Sequence, residues 1–213
     1  MGNNYLQTHG TAMGTKMAVA FANIFMADIE TKMISQSKTK PIEWKRFIDD
    51  IFSLWDSGKK EINLFIEQTN NFHPTIKFTA EISDNETTFL DTIIFKGERF
   101  RNESILDIRT RYKPTETFQY THFTSSHPVG VKRGFIKGEA LRLLRTNSSE
   151  TAFDESISNF KSRLITRRYV PLRDDTDNVI RSQLRTKTVG STTKEKNSQT
   201  NLAFCHNIPP IGA

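Results

Sequence analysis

The sequence predicts an α+β fold, in which a helix and an antiparallel sheet are followed by a basic, mainly helical region. Three observations support this prediction. Apolar residues near the start recur at three- and four-residue steps, and short aromatic and β-branched runs follow between residues 42 and 111. Helical periodicity then returns beyond a proline-containing segment. A length of 213 residues suits one large domain or two small ones.

The first predicted element is a helix that begins at Met13. It ends before Pro41, because proline disfavours helical backbone in the residue that precedes it. Its apolar positions are Met13, Met17, Ala20, Phe21, Ile24, Phe25, Ile29 and Met33.

The next elements are strands and one short helix. Segments 42–48 and 51–55 are aromatic and branched and flank two aspartates, a pattern typical of a β-hairpin. Residues 62–69 indicate a small amphipathic helix, and 76–82 alternates like a half-buried strand. A second hairpin is expected from 88–96 and 104–111, around a polar loop that contains Gly97.

The remainder is predicted to be helical and then disordered. Segments 131–145 and 153–168 have helical, basic patterns, with the boundary before them near residues 113–127. From Thr186 the chain is rich in Ser, Thr, Lys and Asn, which favours disorder. The predicted organisation is therefore 1–113, 114–185 and a disordered tail over 186–213.

Charge is distributed unevenly along the chain, whose net charge is +6. Residues 1–96 contain 10 Lys+Arg and 12 Asp+Glu, whereas residues 97–213 contain 20 and 12. The excess in the second half indicates an anionic partner, although ordinary solubility charge would give the same balance.

Several classes of protein are excluded by composition. The only cysteine, Cys205, excludes an internal disulfide and a Cys-based zinc or iron–sulfur site. No apolar run approaches the roughly 20 residues that span a bilayer. Residues 1–10 lack the pattern of a secretory signal. These features predict an intracellular protein without a membrane segment, and the nucleus is one candidate compartment.

Asp49 and Asp50 are the most informative pair. Adjacent carboxylates repel each other unless they are solvated or bind a cation, and Mg²⁺ prefers such oxygen ligands. The competing interpretation is a simple turn, since aspartate is common there. Upstream, Gly10 and Gly14 would allow a ligand close to the helix start, or would serve only as part of a helix cap.

The order of these motifs resembles reverse transcriptases. Gln7, Gly10, Met13 and Gly14 resemble the start of their motif B, and segment 46–52 resembles the aromatic-x-Asp-Asp motif C. Segment 88–94 is similar to the hairpin that grips the primer. The later strings resemble the thumb of Penelope-like retroelements, which are related to telomerase reverse transcriptases; these strings are Arg111–Thr117, Ser125–Pro128, Lys132–Gly134 and Ala140–Arg142. The resemblance extends from Gln7 to Arg168.

The resemblance implies an RNA-directed DNA polymerase with a two-metal site. Asp49 and Asp50 would be the catalytic carboxylates and would ligate Mg²⁺. Phe47 stands where many members have tyrosine. RNA template, DNA primer and deoxynucleoside triphosphates would be the partners, and the oligomeric state is not indicated. The residues implied in nucleotide and template contact are Gln7, Gly10, Met13, Gly14 and Phe47.

The thumb-like region carries a set of cations that the resemblance assigns to the phosphate backbone. A solvated helix face is the alternative. The set is Lys132, Arg133, Lys137, Arg142 and Arg145.

One catalytic component is missing. The family site needs a third carboxylate, on motif A, from a strand before Gln7, and no such strand precedes it. We therefore expect a palm-and-thumb piece of a larger polymerase that is inactive alone. Two other hypotheses remain: a non-enzymatic nucleic-acid-binding remnant or co-opted module, and a fragment without a stable fold whose sheet edge beside the Asp-Asp hairpin is unpaired.

Overall fold

The structure is a computed structural model that describes residues 10–12, 14–169 and 201–208, the last range by its backbone. The helices are α1 (Ala18–Gln36), α2 (Lys59–Phe72), α3 (Glu98–Glu103), α4 (Val129–Thr146) and α5 (Glu150–Thr166). The strands are β1 (Glu43–Phe47), β2 (Asp50–Trp55), β3 (Lys77–Ser83), β4 (Glu86–Phe89), β5 (Thr92–Phe95), β6 (Asp107–Thr110) and β7 (Asn201–Ile208). The α+β class is confirmed.

The chain forms two compact units. Unit 1 consists of Met1–Asp84 and Gln199–Ala213, and unit 2 of Asn85–Ser198. The predicted boundary near residues 113–127 therefore differs from the observed division. The second hairpin belongs with the helices that follow it, because β6 bonds to the turn between α4 and α5.

Unit 1 contains a four-stranded antiparallel sheet in the order β1-β2-β7-β3. The burial of β2 alternates, which places Ile51, Ser53 and Trp55 on its inner face. Trp55 packs edge-on against Phe65 of α2, with ring centroids 4.8 Å apart. The core of unit 1 is therefore a sheet face covered by α1 and α2.

α2 is amphipathic and carries a defined N-terminal cap. Ile62, Phe65 and Ile66 are buried, and the Glu61 carboxylate accepts the backbone N–H of Gly58 at 2.9 Å. Such a contact satisfies one of the N–H groups that a helix start leaves unpaired. The short helix predicted over 62–69 is thus confirmed and is longer at both ends.

α1 begins later than its apolar pattern predicts. Gly14 has φ +89°, a left-handed conformation, and regular helix starts only at Ala18. Met26, Ile29 and Met33 enter the core. By contrast, Phe21 and Ile24 are exposed, with Ile24 72% accessible. The early apolar positions therefore form surface rather than core within the described part of unit 1.

Unit 2 contains a three-stranded antiparallel sheet in the order β4-β5-β6. Segment 88–96, predicted as a single strand, contains a chain reversal: Phe89 pairs with Thr92 across Leu90 and Asp91. Leu90 takes φ +54°, which allows this tight turn. The loop that contains Gly97 also includes the short helix α3.

The two long helices of unit 2 pack around an aromatic core. Ile136, Leu143 and Phe160 are fully buried, and Tyr169 closes the core beyond α5. The turn between α4 and α5 bonds to β6: Ile108 N–H donates to Ser148 Oγ at 3.0 Å, and Thr110 N–H donates to Asn147 Oδ1 at 3.1 Å. These bonds fix the helix pair on the sheet.

The predicted disordered tail needs one correction. Residues 201–208 form β7, which pairs with β2 on one side and with β3 on the other. The rest of 186–213 lies outside the described residues. Residues 201–208 form a strand because the facing backbone N–H and C=O groups of β2 and β3 would otherwise be left unpaired. Separately, none of the helices described is long and apolar enough to cross a membrane.

Candidate functional site

The Asp49-Asp50 pair lies at the tip of the β1–β2 hairpin. Phe47 pairs with Asp50, so the two-residue turn consists of Ile48 and Asp49. Asp49 is exposed, whereas Asp50 is half-buried as the first residue of β2. The predicted hairpin is confirmed. Its turn is formed by Ile48 and Asp49, one residue earlier than the predicted turn at Asp49 and Asp50.

Ile48 adopts a conformation that its side chain disfavours. Its φ is +56°, and the side chain is 53% exposed. For a β-branched residue a positive φ is a genuine outlier that costs on the order of 1–3 kcal/mol. Such strain clusters at functional sites, and here it lies directly beside Asp49.

Arg46 holds this turn against α1. Its Nε donates to Glu30 Oε1 at 2.9 Å, and its Nη1 donates to Asn23 Oδ1 at 2.8 Å and to the Ile48 carbonyl at 3.2 Å. Trp44 Nε1 donates to the same Glu30 oxygen at 2.9 Å. The arrangement positions the turn that carries Asp49. Sequence reasoning missed this brace, although two signals for it were present. Glu30 follows the buried Ile29 in α1, and Trp44 and Arg46 share one face of β1.

The other residues implied in nucleotide contact are only partly described. Gln7 and Met13 lie outside the described residues. Gly10 and Gly14 both have positive φ, at +77° and +89°, and Phe47 is 55% exposed at the end of β1. The glycine conformations explain why glycine is required there.

The hairpin brings together the two carboxylates that are predicted to ligate Mg²⁺. Asp49 and Asp50 supply adjacent oxygen donors of the kind that Mg²⁺ accepts. Among residues 10–12, 14–169 and 201–208, no group of three or more His, Cys, Asp or Glu side chains could hold a metal ion. The magnesium site at the hairpin therefore stays a prediction.

The five cations predicted to follow a phosphate backbone separate into two groups. Lys132 is only 6% exposed, and its Nζ donates to the carbonyls of Phe123 at 2.5 Å and Ser125 at 2.7 Å. This corrects its assignment to an exposed face, because α4 turns this position inward. Arg133, Lys137 and Arg145 are exposed.

Arg142 is also engaged within unit 2. Its guanidinium pairs with Glu139 at 2.7 Å and with Asp91 at 3.0 Å. The hydrogen bonds that Arg142 donates to the Glu139 carboxylate, followed by the charge of Glu139 and the contact with Asp91, raise the pKa of Arg142 above its ordinary value, despite burial. Its charge is therefore balanced internally, so Arg142 is a structural cation.

A strip of glycines accompanies the exposed cations of α4. Gly130, Gly134 and Gly138 recur every four residues and therefore lie on one side of the helix. All three are exposed, and a Cβ built on any of them would meet no atom within 4 Å. Arg133 and Lys137 lie beside this strip, so another molecule could approach the helix backbone closely between them.

α5 has the opposite charge at its start. Glu150, Asp154 and Glu155 are exposed in its first two turns, and the Ser149 hydroxyl caps the helix by accepting the Ala152 N–H at 3.2 Å. Acidic residues suit a helix N-terminus electrostatically. They also make this end of α5 unsuited to contact with phosphate.

Comparison with known proteins gives one partial match. A family model described as an animal helix-turn-helix domain matches residues 119–172. This range contains α4, the turn at residues 147–149 and α5, together with the segment that leads into α4. No curated protein and no solved structure is significantly similar to the chain. The chain is therefore similar, over this region, to animal helix-turn-helix domains.

Proposed function

We propose that the chain binds nucleic acid through the exposed side of α4. The observation that carries this proposal is the combination of Arg133, Lys137 and Arg145 with a glycine strip. Lys and Arg neutralise phosphates and release counterions, which supplies most of non-specific affinity. Because the glycines carry no side chains, a sugar–phosphate backbone could approach α4 between its cations. The glycine strip consists of Gly130, Gly134 and Gly138.

The similarity to helix-turn-helix domains supports this proposal but suggests an unusual orientation. In the DNA-binding form of the motif, the N-terminal residues of the second helix contact base edges in the major groove. Here that helix is α5, and its start carries Glu150, Asp154 and Glu155. Repulsion from phosphates would oppose its entry into a groove. We therefore expect α4 to bind the backbone, with little sequence preference.

The test is the salt dependence of binding to a nucleic-acid duplex. Lys137→Gln and Arg145→Gln should each weaken binding and lower the slope of log affinity against log salt by about 1. Both side chains are exposed, so the variants should fold. Lys60→Gln, which removes an exposed charge from unit 1, is the matched control and should change neither quantity.

Equal effects of all three substitutions would show a bulk charge effect and contradict the α4 interface. Absence of binding by the unmodified chain at low salt would contradict nucleic-acid binding as a whole.

A second candidate function concerns unit 1. We infer that it is part of an RNA-directed DNA polymerase, in which Asp49 and Asp50 ligate Mg²⁺ during nucleotidyl transfer onto a DNA primer. The supporting observation is the hairpin, whose strained Ile48 presents Asp49 to solvent while Arg46 braces the turn. The chemistry needs two ions about 3.5–4 Å apart. Two adjacent carboxylates are too few to hold them, so we expect the chain alone not to extend a primer.

Paramagnetic broadening by Mn²⁺, used in place of Mg²⁺, separates ion binding from catalysis. Broadening of hairpin amide signals should occur in the unmodified chain and in Asp56→Asn, a control that removes an exposed carboxylate just beyond β2. It should be lost in Asp49→Asn. Uniform weak broadening in all three proteins would contradict an ion site, and primer extension that Asp49→Asn abolishes would contradict the expected inactivity.

A further inference from the structure

We propose that a cavity in unit 2 binds a terminal phosphate group. The cavity has a volume of about 290 Å³ and lies where the segment before α4 meets the first turns of α4 and Tyr169. Its lining includes six residues with polar side-chain groups, which are Gln119, Tyr120, Thr121, His127, Lys132 and Tyr169. The proposal concerns residues other than the exposed α4 cations and does not rest on the proposed backbone interface.

The first argument is the uncompensated charge of Lys132. Its ammonium is buried, rests 5.2 Å above the Phe123 ring and donates to two backbone carbonyls. No carboxylate of the described residues forms an ion pair with it. Burying a charge is costly unless it is paired, and carbonyl dipoles offset only part of the cost. An anion in the cavity would supply the missing charge, and the ammonium has a third N–H donor for it.

The second argument is the hydroxyl of Tyr169. The residue is 1% exposed, and its hydroxyl is buried without a hydrogen-bond partner among the described residues. Burial raises the pKa of this phenol, so it remains a neutral donor. Leaving such a group unpaired destabilises the folded protein, so a ligand that accepts its hydrogen bond would be favoured. Tyr169 lines the same cavity as Lys132, and both pack against Phe123.

The start of α4 adds a third attractive element. Val131 and Lys132 lie in its first turn and line the cavity, next to His127. Helix N-termini favour anions because the helix dipole is positive there. The backbone N–H groups of Val131 and Lys132 both donate to the Pro128 carbonyl, so the dipole rather than a free N–H group supplies this attraction. α4 has 18 residues, and its first turn contains no acidic residue that would compete.

These groups suit a phosphate monoester better than an internal phosphodiester. A monoester carries more negative charge and several acceptor oxygens, which match one ammonium, one phenol and a helix start. Two of the lining side chains, Lys132 and Tyr169, are buried, whereas His127 and Val131 are exposed, so the cavity connects a buried wall with the surface. A chain end or a small phosphate compound could enter such a cavity, whereas a continuous strand would have to bend into it.

The experiment uses the full chain and three probes: inorganic phosphate, adenosine 5′-monophosphate, and a short oligonucleotide with either a 5′-phosphate or a 5′-hydroxyl. Tyr169→Phe removes only the hydroxyl and should weaken binding of phosphate-bearing probes about tenfold, the effect of one hydrogen bond to a charged group. Tyr112→Phe is the matched control, since its hydroxyl is also buried without a partner but does not line the cavity. His127→Ala, at an exposed position, provides a second variant that should fold.

The site is supported, and is assigned to strand ends, if two results are obtained. The chain should bind the 5′-phosphate oligonucleotide more tightly than its 5′-hydroxyl form, and Tyr169→Phe and His127→Ala, but not Tyr112→Phe, should weaken that binding. If adenosine 5′-monophosphate binds as tightly as the 5′-phosphate oligonucleotide, the site is supported and is assigned to small phosphate compounds. Identical binding of both oligonucleotides, with no binding of inorganic phosphate or the nucleotide, overturns the proposal and leaves a water-filled cavity. Equal weakening by Tyr112→Phe also overturns it. Substitutions of Lys137 affect both oligonucleotides alike, so failure of the backbone interface is recognised separately.

Discussion

The two units build their sheets in different ways. In unit 2, β4, β5 and β6 are consecutive and each pairs with its neighbour in the chain. In unit 1, β7 lies between β2 and β3, although it comes after the whole of unit 2 in sequence. Local pairings close short loops, whereas distant ones close long loops at a greater entropic cost. Unit 1 therefore depends on a strand that local sequence signals do not reveal.

The spectroscopic properties of the units allow this difference to be tested. Both tryptophans of the chain, Trp44 and Trp55, belong to unit 1, so tryptophan fluorescence reports on that unit alone. Tyr112, Tyr120 and Tyr169 belong to unit 2 and dominate its near-ultraviolet signal. Each unit also has its own hydrophobic core.

The largest effect is expected from removing β7. Deletion of residues 199–213 should abolish the cooperative unfolding transition seen by tryptophan fluorescence, because β2 and β3 lose the strand that pairs with both. The transition of unit 2, followed by tyrosine circular dichroism, should persist. Deletion of residues 209–213 alone retains β7 and serves as the control. An unchanged fluorescence transition after the longer deletion would contradict the role of β7.

The mirror experiment changes the core of unit 2. Phe160 is fully buried and contacts the rings of Tyr120 and Phe135. Phe160→Ala should lower the free energy of unfolding of unit 2 by about 3–5 kcal/mol, through lost burial and the cavity that remains. Urea unfolding, monitored by tyrosine circular dichroism, measures this loss of stability. Because unit 1 has a separate core, its fluorescence midpoint should stay in place; a matching shift would show that the units unfold together.

A smaller effect depends on pH and involves Asp107. Burial alone would raise the pKa of Asp107, but hydrogen bonds from Arg99 and Ser148 and the charge of Arg99 outweigh it, so the pKa lies below its ordinary 3.8. The ionised carboxylate therefore stabilises unit 2 above about pH 3.8, and this contribution is lost as the pH falls through the folded-state pKa. In Asp107→Asn, the midpoint of unit 2 should be lower at neutral pH and less dependent on pH below 4. Parallel pH profiles for both proteins would count against this ion pair.

The smallest effect is expected at the hairpin turn. Ile48→Gly should raise the free energy of unfolding of unit 1 by up to about 1 kcal/mol, as relief of the positive φ outweighs the greater chain entropy of glycine. Fluorescence-detected unfolding measures the change. Ile42→Gly is a suitable control, since Ile42 is similarly exposed but has no positive φ, and it should bring no gain. A loss of stability in Ile48→Gly would show that the turn is relaxed.

Sequence reasoning succeeded where the determining contacts are local. The β1–β2 hairpin, α2, β3, α4 and α5 follow from periodicity and turn residues within short windows. It failed where partners are distant. The backbone partners of β7 are far away in sequence, and the charge balance of Arg142 depends on Asp91. The burial of Lys132 depends on the path of the loop at Phe123 and Ser125, which no local pattern encodes.

The candidate site shows the same limit. The aspartate pair identified the hairpin tip, but the brace from Arg46 to Glu30 and Asn23 joins α1 to β1 and required the tertiary structure. The helical region could be identified as basic from composition. Which of its cations face outward depended on the phase of α4 relative to a core that includes Ile136, Ala140 and Leu143.

The position of β7 has a consequence for the order of events during protein synthesis. A ribosome releases the chain from its N-terminus, and domains generally fold as they emerge. All residues of unit 2 emerge before β7 does, so unit 2 can fold while the sheet of unit 1 still lacks its inner strand. Until then β2 and β3 present open edges to any extended chain nearby, including another nascent copy. Of the two units, unit 1 therefore completes its sheet later, although most of its strands precede unit 2 in the chain.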